Sequence, residues 1–315
     1  MKLLLDVDTG VDDSIAILYA LFKPEIEVVG ISTVCGNVEA WLAAENTLKI
    51  LDLADAPDIP VVKGAETPLR KKWEGRVSYI HGDNGLGNVE LPASSRKLLE
   101  KDVSDFHMEL AGKYEGELVV VTLGPMTNIA RTLEKYPEFA GKVKKVVSMG
   151  GTLSMRGNVS PVAEANFAGD PDACDRVFTS GMDITIVGLD VTMKTRLTKE
   201  HIDWLAENCR ESCKKAVSYM QKALVHYRKG NQRQNYCVDD SPLHDPLTIM
   251  CALKPGLIQT ECRKARIECG GTYCRGMVVT DQREHPFEAE YIRFAVDVHP
   301  HRAIRELLSA FWEEV

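Results

Sequence analysis

No stretch of this chain is long and apolar enough to span a bilayer, and Met1 leads into a strand-like segment with only Lys2 between, without a charged leader, a long apolar run or a small-residue cleavage site. A helical membrane protein and an exported one are therefore not expected, and the cytoplasm is the default location. Cysteine lacks pattern: the nine cysteines are odd in number, Cys209 and Cys213 are four apart, Cys269 and Cys274 five apart, and no zinc-type pairing emerges. Reduced thiols in a reducing compartment are the plain expectation. Positive charge is in deficit, 38 lysines and arginines against 46 aspartates and glutamates for a net charge of -8. This disfavours a nucleic-acid or membrane-surface binder, since either needs a basic face to meet phosphates. Linkers, repeats and low-complexity segments are missing too. What is left is a globular chain of 315 residues, 44% hydrophobic and 27% charged, able to bury a large core as one domain over 1–315. Its expected partner is a small molecule.

What is present is a recurring alternation. "KLLLDVD" has strand length, "SIAILYALF" helical period, "IEVVGISTV" β-branched strand character, and "EAWLAAENTLKIL" apolar residues at three and four spacing. The pattern returns in "IPVVKG", in "ELVVVTLG" followed by "MTNIARTLEKY", in "VKKVVSMGG", and in "DPDACDRVFTS" followed by "DITIVGLDVT". Strands that are nearly continuous apolar runs are buried on both faces, which predicts an α/β fold: a mostly parallel central sheet flanked by helices, open and Rossmann-like. Residues 195–250 turn helical and polar, a helical elaboration, and "RKARIECGGTYCRGMVVTD" predicts a small hairpin.

Four aspartates, Asp6, Asp8, Asp12 and Asp13, fall within eight residues at the end of the first predicted strand. Ligands of open parallel sheets sit at the carboxyl ends of strands, where "STVCGN", "VTLGPMTN" and "SMGGT" also converge. Carboxylates this close repel one another, and a hard cation such as calcium or magnesium would relieve all four. Helix N-capping accounts for Asp12 and Asp13 alone. An EF-hand loop fails, because the twelfth residue counted from Asp6 is Ile17 and not Glu. "DVDTG" also resembles the nucleophile motif of haloacid-dehalogenase-type magnesium phosphatases, but that alternative leaves Asp12 and Asp13 without a task.

"DVDTGVDDSIA" resembles the N-terminal signature of the inosine-uridine preferring nucleoside hydrolase family, and the resemblance continues in family order. It runs through "TVCGN", "HGDNGLG", "LGPMTNIA", "MGG", "GNVSPVAEANFAGDPDA" and "HDP", over most of the chain. Val7 and Thr9 depart from the usual Thr and Pro of the motif, at positions that need supply no ligand. The resemblance implies a single nucleoside hydrolase domain acting in nucleoside salvage as a homodimer or homotetramer. The implied reaction is calcium-dependent hydrolysis of the N-glycosidic bond of ribonucleosides, giving free base and ribose.

By the same resemblance, Ca2+ is held by Asp8, Asp13 and Asp245 with the backbone carbonyl of Leu123, and Asp8 also stands where the family's general base does. Asp12, Asn37, Asn158, Glu164 and Asn166 are the implied grip on the ribose hydroxyls. His244, adjacent to a ligand, is the candidate acid for the departing base, since an imidazole near neutrality can give up a proton. His81 resembles the base-side histidine. The other histidines, His107, His201, His226, His285, His299 and His301, lack supporting context and are expected to be surface or structural. Gln232 and Tyr236, at their offsets before His244, resemble the pyrimidine-preferring branch, which implies uridine and cytidine, with inosine, other purine nucleosides or a modified base still open.

Overall fold

The structure is a computed structural model that describes residues 1–232 and 238–312. Its strands are β1 (Lys2–Val7), β2 (Glu27–Thr33), β3 (Val61–Lys63), β4 (Val119–Thr122), β5 (Lys145–Met149), β6 (Ile184–Val187), β7 (Arg196–Leu197), β8 (Ser241–Pro242), β9 (Ile258–Ile267), β10 (Val278–Thr280) and β11 (Tyr291–Val298). Nine of them form one sheet in the order β10-β9-β11-β6-β5-β4-β1-β2-β3. From β3 to β11 all neighbours are parallel; β9 runs antiparallel to β11, and β10 to β9. The expected open, mostly parallel sheet is therefore present, with its strand order reversing between β1 and β4, the place where such folds bind ligands.

β1 shows why both faces are covered. Leu3, Leu5 and Val7 enter one core with the helix α1 (Val11–Phe22), while Leu4 enters the other with Phe106, Ile129 and Phe178. Alternate residues of a strand point to opposite faces, so an uninterrupted apolar run serves two cores at once. The helical elaboration contains α2 (Lys214–Asn231) and ends in α3 (Asp245–Leu253). α2 buries Val217, Met220 and Leu224 on one face, and β7 pairs with β8 beside it.

The predicted hairpin is β9–β10, with Val278 opposite Ile267, but β9 starts earlier than "RKARI" because it also pairs along β11. β11 itself has no counterpart among the predicted elements. Among the described residues no helix is long and apolar enough to cross a membrane.

Candidate active site

The turn from β1 into α1 gathers three of the four clustered aspartates. Asp13 folds back over the helix start: its Oδ2 accepts from Gly10 N at 2.8 Å and its Oδ1 from Asp8 N at 3.2 Å. Asp8 Oδ2 accepts from Asn37 N at 2.7 Å. Its carboxylate is wedged between two glycines: a Cβ on Gly36 would stand 2.0 Å from Asp8 Oδ2, and one on Gly124 2.9 Å from Oδ1. Asp245 arrives from far along the chain as the first residue of α3. One oxygen each of Asp12, Asp13 and Asp245 lie within 4.8 Å of one another.

Burial pushes the Asp13 carboxyl up to about 7, helped by the neighbouring Asp12 charge. Burial likewise holds Asp8 and Asp245 well above the usual carboxylate range, and neighbouring aspartates add to it. Among the described residues Asp8 Oδ1 and Asp12 Oδ1 are buried without a hydrogen-bond partner, Asp12 Oδ1 lying 3.7 Å from His81 Nδ1. An unpaired buried acceptor costs about 1–3 kcal/mol, and more when charged. A cation taking all-oxygen ligands would answer both the repulsion and the orphaned oxygens, so the cluster fits a hard metal ion. The Leu123 carbonyl faces the same region and already accepts from Asn166 Nδ2 at 2.6 Å, which leaves it a second lone pair.

Asp6 does not join this cluster, which corrects the expectation that one cation relieves all four aspartates. It lies on the Leu4 side of β1, where its Oδ1 accepts from Ser32 Oγ at 2.6 Å and from Asn128 Nδ2 at 2.7 Å. A buried ring then runs from Ser32 Oγ to His107 Nε2 (2.8 Å), from His107 Nδ1 to Thr132 Oγ1 (2.9 Å), and from Thr132 Oγ1 to Asn128 O (2.8 Å). Burial pushes the Asp6 carboxyl up to about 7, against the hydrogen bonds from Ser32 and Asn128, and the His107 imidazole down to about 3, so His107 is neutral. His107 is structural, as expected.

A cavity of about 400 Å³ opens above the acidic cluster, lined by Asp12, Asn37, His81, Asn166, Tyr227 and Asp245 among others. Asp8 instead lines an adjoining cavity of about 300 Å³. A larger groove of about 710 Å³ along the 93–101 segment gathers lysines and glutamates. Lys63 and Lys101 there pair with Glu66 and Glu109, and among the described residues no acid–base constellation converges.

The expected ribose-side residues do line the 400 Å³ cavity, with part of their capacity already spent. Asn37 Nδ2 donates to Asp13 Oδ2 at 3.2 Å, and Asn158 Oδ1 accepts from Ala165 N at 2.9 Å. Glu164 caps the short helix Ala165–Gly169, accepting from the backbone N–H groups of Gly151, Asn166 and Phe167, and burial pushes it up to about 7. Asn166 commits its amide hydrogens to the carbonyls of Leu123 and Met149, which leaves its own carbonyl oxygen for a hydroxyl.

On the base side, His81 sits in a one-turn helix, Ser78–His81, and is buried rather than solvated as a loop histidine would be. Its Nδ1 accepts from Val11 N at 3.2 Å, so the neutral ring carries its proton on Nε2, and burial lowers its pKa. His244 Nδ1 lies 2.8 Å from Thr192 Oγ1. Burial pushes this imidazole down to about 4, so it is neutral at physiological pH, which corrects the expectation of an imidazole poised near neutrality. Gln232 is exposed at the end of α2, and Tyr236 lies outside the described residues.

The family model for the inosine-uridine preferring nucleoside hydrolases matches residues 3–305. The chain belongs to that family. It is a ribonucleoside hydrolase, an N-glycosidase, and the phosphatase alternative is set aside. The hydrolase is 41% identical to uridine nucleosidase 1 of Arabidopsis thaliana over 89% of this chain and 82% of that one. Among solved structures, a plant nucleoside hydrolase, PpNRh1, superimposes with a TM-score of 0.92 at 33% identity, covering 98% of each chain. The purine-preferring ribonucleoside hydrolase of Gardnerella vaginalis does so with 0.91 at 37% identity and the same coverage.

Among the pocket residues missing from the sequence-derived set, which include Glu74, Arg76, Tyr79 and Asn231, one touches a ribose-side carboxylate. Tyr227, buried on α2, donates its hydroxyl to Asp12 Oδ2 at 2.8 Å, with its ring 5.6 Å from that of His81. Its signal was its spacing: Tyr219, which meets Ser14 at 2.8 Å, and Tyr227 lie two helical turns apart on the face of α2 turned toward α1.

Proposed function

We propose that the hydrolase works with one calcium ion held by Asp8, Asp13, Asp245 and the Leu123 carbonyl, and that pyrimidine ribonucleosides, uridine and cytidine, are its preferred substrates. The observation that carries the metal assignment is the convergence of buried carboxylates at the β1–β4 switch point, where Asp8 Oδ1 and Asp12 Oδ1 have no hydrogen-bond partner among the described residues. Bound calcium would lower the pKa of a coordinated water and hold vicinal hydroxyls.

The chain's own groups do the rest. Asp8, gripped between Gly36 and Gly124, takes the proton of the attacking water as general base. The free Oδ1 of Asp12 accepts from a ribose hydroxyl, and Asn37, Asn158, Glu164 and the Asn166 carbonyl hold the remaining ones. These contacts fix the sugar as oxocarbenium character builds at its anomeric carbon. His244 and His81, neutral in this setting, serve the departing base as hydrogen-bonding groups, and His244 acts as its acid through the small imidazolium fraction, which gives up its proton and returns to the neutral ring as the bond breaks.

The pyrimidine preference rests on Gln232 and Tyr236 and agrees with the Arabidopsis relative's description, whereas the Gardnerella protein is described as purine-preferring. Family resemblance supports a homodimer or homotetramer in cytoplasmic nucleoside salvage, with no nucleic-acid or membrane partner. A panel of uridine, cytidine, inosine and adenosine, assayed with and without chelator and with products identified, tests all parts of the catalytic reading. Free ribose and base, released fastest from uridine and cytidine and lost on chelation, are expected. Chelator-resistant turnover would remove the metal, and faster purine release the base preference.

A further inference from the structure

The Asp8 cleft has two glycine walls that belong to different parts of the sheet, and one buried side chain holds both. Asn128, second residue of the helix Thr127–Lys135, is fully buried. Its Nδ2 donates to Asp6 Oδ1 on β1 at 2.7 Å and to the carbonyl of Thr33, the last residue of β2, at 3.0 Å. Its Oδ1 accepts from Ala65 N, just past β3, at 2.9 Å. Gly64 leaves it room: a Cβ there would stand 2.4 Å from Asn128 Oδ1. One amide thus ties the helix after β4 to the ends of β1, β2 and β3.

These attachments lead to the cleft. Gly36 follows Thr33 by three residues and Gly124 precedes Asn128 by four. Leu123 N, beside Gly124, is itself bonded to Asp6 O at 2.8 Å. The separation of the two glycine walls, and with it the orientation of the Asp8 carboxylate against the Leu123 carbonyl, is therefore set through Asn128. We propose that Asn128 is a positioning residue for the metal end of the site, touching neither substrate nor metal but fixing Asp8 and Leu123 relative to each other. The inference rests on the proposed assignment of Asp8 and Leu123 as ligands.

Residues behind metal ligands typically cost about 10–100-fold in metal affinity or activity when removed. In Asn128→Ala, calorimetric titration of calcium into chelator-stripped protein should show affinity weakened by about that factor. The kcat on uridine at saturating calcium should fall at least about tenfold, with KM changed less than about threefold, since the ribose-side groups are intact. Tyr19→Phe, which deletes a buried hydrogen bond to Glu306 at the opposite end of α1, is the control. It should lower Tm yet leave calcium affinity within about twofold. If Asn128→Ala fails to fold, Asn128→Asp keeps the shape and the acceptor for Ala65 N while removing the donor, and the same readouts apply. Unchanged calcium affinity in the Asn128 variant, or an equal loss in Tyr19→Phe, overturns the positioning role. Failure of the wild type to bind calcium overturns the ligand assignment beneath it, and is seen separately in the first titration.

Discussion

Tyr227 and Asp12, 215 residues apart in sequence, meet in a hydrogen bond of 2.8 Å that occupies Asp12 Oδ2 and leaves Oδ1 without a hydrogen-bond partner among the described residues, 3.7 Å from His81 Nδ1. The tyrosine therefore decides which carboxylate oxygen is offered to the sugar. Hydrogen bonds to charged groups contribute about 1.5–3 kcal/mol. Tyr227→Phe should accordingly lower kcat/KM for uridine by roughly 10- to 100-fold, and lower the melting temperature as well, because Asp12 Oδ2 loses its buried donor. Steady-state kinetics alongside thermal melts would check this, and an unaltered kcat/KM would show that Asp12 keeps its orientation without the hydroxyl.

Asp13→Ala and Asp245→Ala should each lose the bound metal, measured by elemental analysis, together with turnover. Asp8→Asn keeps the shape of the cleft but cannot take a proton, and its kcat should fall by at least about a hundredfold with the fold intact by circular dichroism. Full turnover by metal-free Asp13→Ala protein would remove the ion from the chemistry. Near-normal turnover by Asp8→Asn would remove Asp8 as the base.

The stability of the metal-free protein should fall as pH rises. Asp6, Asp13 and Glu164 have pKa values of about 7 when folded, above the ordinary carboxylate range near 4, so the folded state keeps protons that the unfolded chain has released. Their stabilising contribution is full below about pH 4 and lost as pH approaches about 7. The buried neutral histidines His107 and His244, held at about 3 and about 4, work the other way up to the unfolded imidazole range near 6.5, so melting temperatures in chelator should decline most clearly from about pH 6 to about pH 8, and saturating calcium should remove the part owed to Asp13. A flat profile in chelator would mean that these carboxylates are ionised in the fold.

For His244 the informative comparison is between leaving groups. Pyrimidines depart poorly without help at the base, whereas p-nitrophenyl riboside yields a stable phenolate unaided. General acid catalysis is worth about 10²- to 10⁴-fold, roughly 3–5 kcal/mol of barrier. His244→Ala should lower kcat on uridine within that range and leave p-nitrophenyl riboside hydrolysis within about tenfold. Equal losses would show that the imidazole works by orienting Asp245, and the acid would then be sought at His81, Tyr236 or a water.

Much of this protein is written locally. Apolar runs of strand length alternating with segments of helical period specify a parallel, two-sided sheet, because such runs must be buried on both faces wherever they occur. Asp8, Asp13 and "HDP", in the order and spacing of the family, specify an N-glycosidase. β11 escapes that reading because its outward Tyr291, Arg293 and Asp297 break the apolar run, and it becomes a strand only by pairing between β6 and β9. The fates of the individual aspartates are likewise not local. Asp6 and Asp8 are two residues apart, yet Asp6, in β1, lies under the helices that carry His107 and Asn128, while Asp8, just past the end of β1, reaches into the glycine cleft. His244 is neutral because its surroundings bury it, and Tyr227 reaches Asp12 because α2 is packed along α1. Periodicity determines which face of an element is covered; the hydrogen-bond partner and the protonation state of a buried polar group depend on which distant segments cover it, and that only the packed chain decides.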